Sequence, residues 1–305
     1  MPKRVKPTTK KNSGIIDAHS HPNWHGHDLT AFFSNMDEFG IQKAWLLTWI
    51  CPLDEYDSSY HKSVSPIARA AGGPISFEDC VRYKEHSPDR VILGYAPDPR
   101  KSDALDSMKA AVEIFGVQVC GELKLRMMYD NPDALRLFKY CGTKGIPVTV
   151  HIDYEFDRPY SYPRPNFWYG GGIGAFERAM AACPDTVFLG HAPGFWAHLS
   201  GDDKFDKEPY PAGPILPGGK TIDLFRRYPN LCGDMSANSC LKALSRDLAF
   251  TKDFIVEFQD RLLFARDCFD NNHQDFLRSL KLPKPVEAKI FRSNAERLTN
   301  PTSSK

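Results

Sequence analysis

Short apolar runs recur along the chain, and each is followed by a stretch with helical spacing. The runs are GIIDA (14–18), KAWLLT (43–48), VILGYA (91–96), VQVCGELKL (117–125), PVTVH (147–151), TVFLGH (186–191), LCGDM (231–235) and RLLFARD (261–267). They are nearly continuous in hydrophobicity rather than alternating, which suits parallel strands covered on both faces. The spacing between them predicts helices over 28–39, 76–87, 103–115, 132–142, 173–183, 220–228 and 246–259, with one more over 286–298. Asn131 and Pro132 read as a helix start, and Gly40, Gly116 and Gly145 fall where helix ends need a left-handed residue.

Strand and helix repeated eight times, without a second compositional zone, predict an α/β chain closed into a single (β/α)8 TIM barrel. The barrel is expected over 14–300, after a disordered basic tail at 1–13. An open doubly wound sheet is the competing arrangement, weakened in its dinucleotide-binding form because no GxGxxG follows the first strand. Three connections, 49–75, 152–171 and 192–219, are long, and each runs from a strand to a helix. In a barrel such loops rise over the C-terminal face, where active sites are built.

The net charge of +1 removes the electrostatic case for a nucleic-acid partner or an anionic membrane surface. No apolar stretch is long enough to span a bilayer, and the first residues lack the apolar core of a signal peptide. The eight cysteines form no CxxC pair, and several sit inside apolar runs. That pattern fits free thiols in a reducing cytoplasm rather than a disulfide framework or a thiolate zinc site.

The chemistry gathers at strand ends. The first strand runs into His19 and His21, two residues apart and so able to face one way. His151 ends the fifth strand, His191 the sixth and Asp267 the eighth. A polar residue closing an apolar run needs a partner. Imidazoles and a carboxylate delivered to one face of a barrel can share a divalent cation. His25 and His27 repeat the H-x-H spacing in the first loop, where His25 and Trp24 read as substrate contacts. His61, His86, His198 and His273 show no pattern and read as surface or loop residues. Asp234, Ser236 and Asn238 either line the mouth or tie a loop turn.

IDAHSHP, VHID, GHAPG, RLLFARD and the closing IFRSNAERL, in that order, resemble the amidohydrolase superfamily. The nearer likeness is to its amidohydrolase-2 branch, which also contains aminocarboxymuconate-semialdehyde decarboxylase. The resemblance covers about residues 14–300 and leaves out the long loops. It implies that His19, His21, His151 and Asp267 bind the metal. It also implies that His191 orients or activates water, and that Asp267 moves its proton. Relatives use a glutamate or a carboxylated lysine on the fourth strand to bridge two metals. Glu122 is the expected ligand here, while Lys124 shares its parity. Zinc is the expected ion, with manganese, iron or cobalt admitted by the same donors, and one or two ions are compatible with them. One departure stands out. The residue before the last aspartate is commonly small, yet here it is Arg266, which alternation should turn away from the metal.

Two reactions fit these residues. Metal-activated water can cleave an ester, lactone or amide of a small molecule, and this hydrolase reading is the first expectation. The same ligands can instead support non-oxidative decarboxylation of an unsaturated or aromatic acid, with an arginine holding the substrate carboxylate. Arg126, Arg158, Arg164 and Lys124 are the candidate cations for substrate binding. A homo-oligomer is compatible with the chain.

Overall fold

A computed structural model describes residues 14–56, 74–156, 164 and 166–300. Arg158, His61, the 1–13 tail and much of two long loops lie outside the described residues. Eight parallel strands form a barrel. They are β1 (Ile15–Ser20), β2 (Ile41–Leu46), β3 (Val91–Leu93), β4 (Cys120–Leu123), β5 (Val148–His151), β6 (Phe188–His191), β7 (Leu231–Met235) and β8 (Leu262–Phe264). Regular ladders run β1-β2-β3 and β4-β5-β6-β7-β8. The two arcs meet through a parallel bridge between Gly94 and Val119. On the other side Asp267 N–H donates to His19 O at 3.0 Å, joining β8 to β1.

The outer helices are α1 (Leu29–Glu38), α2 (Phe77–His86), α3 (Ala104–Phe115), α4 (Pro132–Lys144), α5 (Gly172–Ala182) and the short α6 (Pro193–Trp196). They continue with α7 (Lys220–Arg227), α8 (Ala237–Ser245), α9 (Leu248–Glu257), α10 (Asn272–Ser279), α11 (Lys284–Ala288) and α12 (Asn294–Thr299). The starts follow local chemistry. Asp28, Ser76 and Asn131 each accept a backbone N–H of the first turn, and Pro132 follows Asn131 directly. Gly116 and Gly145, at φ +68° and +65°, end α3 and α4 in left-handed geometry. Two expectations change. The predicted helix 286–298 is broken, with a π turn at Lys289–Ser293 between α11 and α12. α6 lies in the long connection 192–219, and α8 and α10 are not among the predicted helices, because each is short and lacks a long periodic pattern.

The apolar runs divide between two layers. Ile16, Ala18, Trp45, Leu47, Val119, Leu189, Cys232, Leu263 and Ala265 fill the barrel interior. Ala295 and Leu298 of α12 join them, plugging the end where the strands begin. The larger core lies between the strands and the surrounding helices. The described parts of the long loops cover the opposite end. There Tyr154 stacks on Phe205 with ring centroids 4.4 Å apart, and Tyr169 Oη donates to Glu55 O at 2.8 Å. Among the described residues no helix is long and apolar enough to cross a membrane.

Candidate metal centre and substrate cavity

Strict alternation would not bring His19 inward. Ile16 and Ala18 face the interior, so His19 should follow Asp17 to the outer side of β1. The β1–β2 register shifts between Asp17 and Ser20, where three steps on β1 oppose two on β2. This bulge turns His19 toward the axis. A similar shift in β4, between Cys120 and Leu123, holds Glu122. Asp267 follows β8 with φ +55°, a left-handed geometry that aspartate tolerates better than most residues. Its N–H is the group that bonds His19 O.

The donors then converge. His19 Nδ1 faces Asp234 Oδ2 at 2.6 Å, and His21 Nδ1 donates to Leu47 O at 2.9 Å. With Nδ1 engaged by an acceptor, each ring turns Nε2 to the centre, and the two Nε2 atoms lie 3.1 Å apart. Glu122 Oε2 is 3.4 Å and Asp267 Oδ1 3.5 Å from His21 Nε2. From His19 Nε2 the same oxygens are 3.8 and 3.9 Å away. Four donors about 2.0–2.1 Å from a tetrahedral ion stand roughly 3.3 Å from one another. The arrangement is therefore close to that of a cation's coordination shell. Asp267 Oδ1 is buried with no hydrogen-bond partner, which is costly unless something positive meets it.

His191 comes in beside these groups. Its Nε2 is 3.7 Å from Glu122 Oε1 and 3.9 Å from Asp267 Oδ2, while Ser236 Oγ holds its Nδ1 at 2.9 Å. His151 reaches the cluster through Glu122, whose Oε1 is 2.7 Å from His151 Nδ1, and its Nε2 faces Asp153 Oδ2 at 3.0 Å. Three overlapping sets of potential ligands result, each with its donor atoms within 4.8 Å of one another: His19, His21 and Glu122; His19, His191 and Asp267; Glu122, His151 and His191. Glu122 stands among the donors, whereas Lys124 Nζ lies 4.1 Å from the centre of the Trp49 ring.

The electrostatics ask for positive charge. Burial alone would depress the His19 imidazole, but Asp234, Asp267 and Glu122 override it and push it up to about 10. Burial would likewise raise Glu122, yet hydrogen bonds from His151 and His21 hold it well below the usual carboxylate range. His191 is held well below the ordinary imidazole value, first by burial and then by His19. Burial also raises Asp234.

A cavity of about 560 Å³ opens onto this cluster. Trp24, His25, Lys124 and Arg164, expected as substrate contacts, all line it. Arg126 does not. Its guanidinium donates to Asn166 O and Asp54 O, tying two long loops together outside the cavity. Parity along β4 pointed inward, but the bulge at Glu122 removes parity as a guide beyond it. His273, expected at the surface, is buried and lines the cavity. Arg266 is turned outward, with Nε donating to Asp17 Oδ2 at 2.7 Å. Asp153 was missed, although its place two residues after His151 repeats the spacing of the first histidine pair. Sequence leaves Asp234 and Ser236 between two roles, and the structure sets them behind His19 and His191.

No family model matches the chain, and no curated protein does. Solved structures do match. An uncharacterised TIM-barrel protein from Bordetella bronchiseptica aligns over 93% of this chain and 98% of its own, with 19% identity and a TM-score of 0.61. The 2,6-dihydroxybenzoate decarboxylase from Rhizobium aligns over 95% and 99%, with 17% identity and a TM-score of 0.58. The 5-carboxyvanillate decarboxylase from Sphingomonas paucimobilis aligns over 94% and 99%, with 15% identity and a TM-score of 0.59. Further matches include a dihydroxybenzoic acid decarboxylase from Polaromonas with bound manganese (14% identity, TM-score 0.56). A probable 2-pyrone-4,6-dicarboxylic acid hydrolase from Acinetobacter baumannii also matches (11% identity, TM-score 0.55). At these identities the likeness establishes the fold: the chain is a TIM-barrel protein. The neighbours are consistent with the resemblance carried by its motifs.

Proposed function

We propose that this protein is a divalent-metal-dependent enzyme of the amidohydrolase-2 branch that decarboxylates an aromatic or unsaturated carboxylic acid without oxidation. The observation that carries the reading is the cavity wall. Lys124 and Arg164 give it positive charge, while Trp24, Trp49, Tyr210 and Phe269 give it aromatic surface, directly over the converging donors. Such a wall suits a flat anion. Such cations would also suit an anionic lactone, and what favours decarboxylation over hydrolysis, the first expectation from sequence, is that the matched structures named above are mostly decarboxylases of aromatic acids.

His19, His21, Glu122 and Asp267 would hold the cation, with His191 and His151 completing the shell or a second position. When bound, the metal supplies the charge that anchors the substrate acid and withdraws electron density from it. The donors suit manganese as well as zinc. Lys124 and Arg164, on the cavity wall, would orient the anion. Asp267, on the cavity wall and 18% exposed, is placed to carry a proton. In its acid form it delivers that proton to the ring carbon bearing the carboxylate. The carbon–carbon bond then breaks, carbon dioxide leaves with its oxygens, and the electron pair restores the ring. Solvent reprotonates the Asp267 carboxylate. The neutral His191 beside it accepts or donates a hydrogen bond without adding charge.

Hydrolysis remains the second reading, because the unpartnered Asp267 Oδ1 is equally placed to deprotonate a water. The two separate cleanly. Manganese- and zinc-loaded protein is offered hydroxybenzoates, unsaturated diacids and pyrone lactones, and headspace carbon dioxide is measured against loss of substrate. Stoichiometric carbon dioxide supports decarboxylation. Lactone opening without carbon dioxide would overturn it in favour of hydrolysis.

A further inference from the structure

A second group of potential ligands lies on the same cavity, on the segment that leads from β8 into α10. Cys268 Sγ, a carboxylate oxygen of Asp270 and a ring nitrogen of His273 lie within 4.8 Å of one another. None of the three belongs to the sets built on His19, His191 and Glu122. We propose that Cys268, Asp270 and His273 form a separate binding site for a thiophilic divalent cation, zinc above all.

His273 supplies the independent sign of a ligand. Its side chain is 96% buried by area, being only 4% exposed, and sits in the first turn of α10. Nε2 is engaged with Ala237 O at 2.8 Å, and since a carbonyl only accepts, Nε2 carries the proton. Nδ1 is therefore a bare lone pair, buried and without a hydrogen-bond partner. A lone pair left so is destabilising unless a proton donor or a metal meets it. The bond from Nε2–H to a backbone carbonyl is the outer contact that orients metal-binding histidines. Burial also keeps this imidazole below its ordinary range, in the neutral form that a metal requires.

The donor set determines the ion. Thiolate with imidazole selects zinc and excludes magnesium, calcium and manganese, which favour oxygen. Asp270 is exposed, Cys268 partly so, and all three residues line the cavity. Asp270 Oδ1 accepts Asn272 N–H at 3.0 Å, which fixes the carboxylate at the head of α10. Three protein ligands leave a fourth position facing the cavity, as in zinc sites that also hold water or a small anion. Binding replaces the thiol proton with the metal, and that proton goes to solvent.

The site is tested with cobalt(II) as the probe on the reduced full chain. No donor of the His19 centre is sulfur, so a near-ultraviolet thiolate-to-cobalt charge-transfer band reports this site alone. The wild type should develop the band and bind one more equivalent of zinc than Cys268→Ser or His273→Gln, both checked for native circular dichroism. His19→Ala should lose metal at the other centre while keeping the band, so failure there does not count here. No band at saturating cobalt, or an undiminished band in Cys268→Ser, overturns the proposal.

Discussion

Strands β1 and β8 carry charge on both sides, and the two sides are opposite in kind. On the outer side Asp17 meets Arg266. Oδ2 accepts from the guanidinium at 2.7 Å, Oδ1 accepts from the Arg266 backbone N–H at 3.0 Å, and Arg266 Nη1 donates to Asn35 Oδ1 at 2.9 Å. Both residues are almost fully buried, and acid is balanced by base. On the inner side His19, His21 and Asp267 crowd together with Glu122, with no lysine or arginine among these four side chains. Buried charge with its counter-charge in place is architecture. Buried acceptors that converge on one another are a request for a ligand. The distinction separates residues that look equally conspicuous in the sequence.

That contrast can be broken at either side. The largest effect is expected at Asp267→Asn, which should lower turnover by about 10²–10⁴-fold, the range for a lost acid–base group. Its melting temperature should stay near that of the wild type, and steady-state kinetics with calorimetry checks both. Arg266→Leu should do the reverse. It strands Asp17 in the core and should cost about 3–5 kcal/mol of stability. Its metal content per folded molecule should not change, as urea unfolding and elemental analysis would show. Asp234→Asn removes the carboxylate behind His19 and should weaken metal affinity by about 10–100-fold. Competition with a chelating dye measures that, and an unchanged affinity would break the link between Asp234 and the centre.

The pH dependence sharpens the same contrast. Without metal, His19 has a folded pKa raised from 6.5 to about 10. Its contribution to stability is complete below 6.5 and is lost as pH rises toward 10. Metal-depleted protein should therefore lose stability over that interval, whereas metal affinity should increase over it, because proton and cation compete for the same nitrogen. Urea melts at several pH values, with and without metal, give the two slopes. The smallest effect is expected at Arg126→Ala. It frees two loops at the rim and should change KM by a few-fold at most, while Arg164→Ala, inside the cavity, should raise it more.

The strands were readable because both faces of a barrel strand are covered, which leaves nearly unbroken apolar runs. Strand-end polar residues were readable for the same reason: His151, His191 and Asp267 interrupt such runs where a barrel opens. Alternation was less reliable. It kept Arg266 outward, yet it gave no sign of the bulges that admit His19 and Glu122, because an extra residue leaves no mark in composition. Arg126 went astray beyond one of them. Asp234 and Asp153 are partners of histidines, and partnership across strands depends on register, which a single sequence does not print. The interrupted last helix was unreadable for a related reason: its periodicity continues through the π turn.

The joint between the last strand and the first has a further consequence. Among the described residues, one backbone hydrogen bond spans it, from Asp267 to His19, and the side chain of Asp17 does much of the rest. The two halves of that joint are separated by almost the full length of the chain, so making it carries a high loop-closure cost. His19 and Asp267, two of the converging donors, are thus brought together by the same joint that closes the barrel. Under the proposed function, a chain that has not made this joint should show no turnover, so activity would report ring closure.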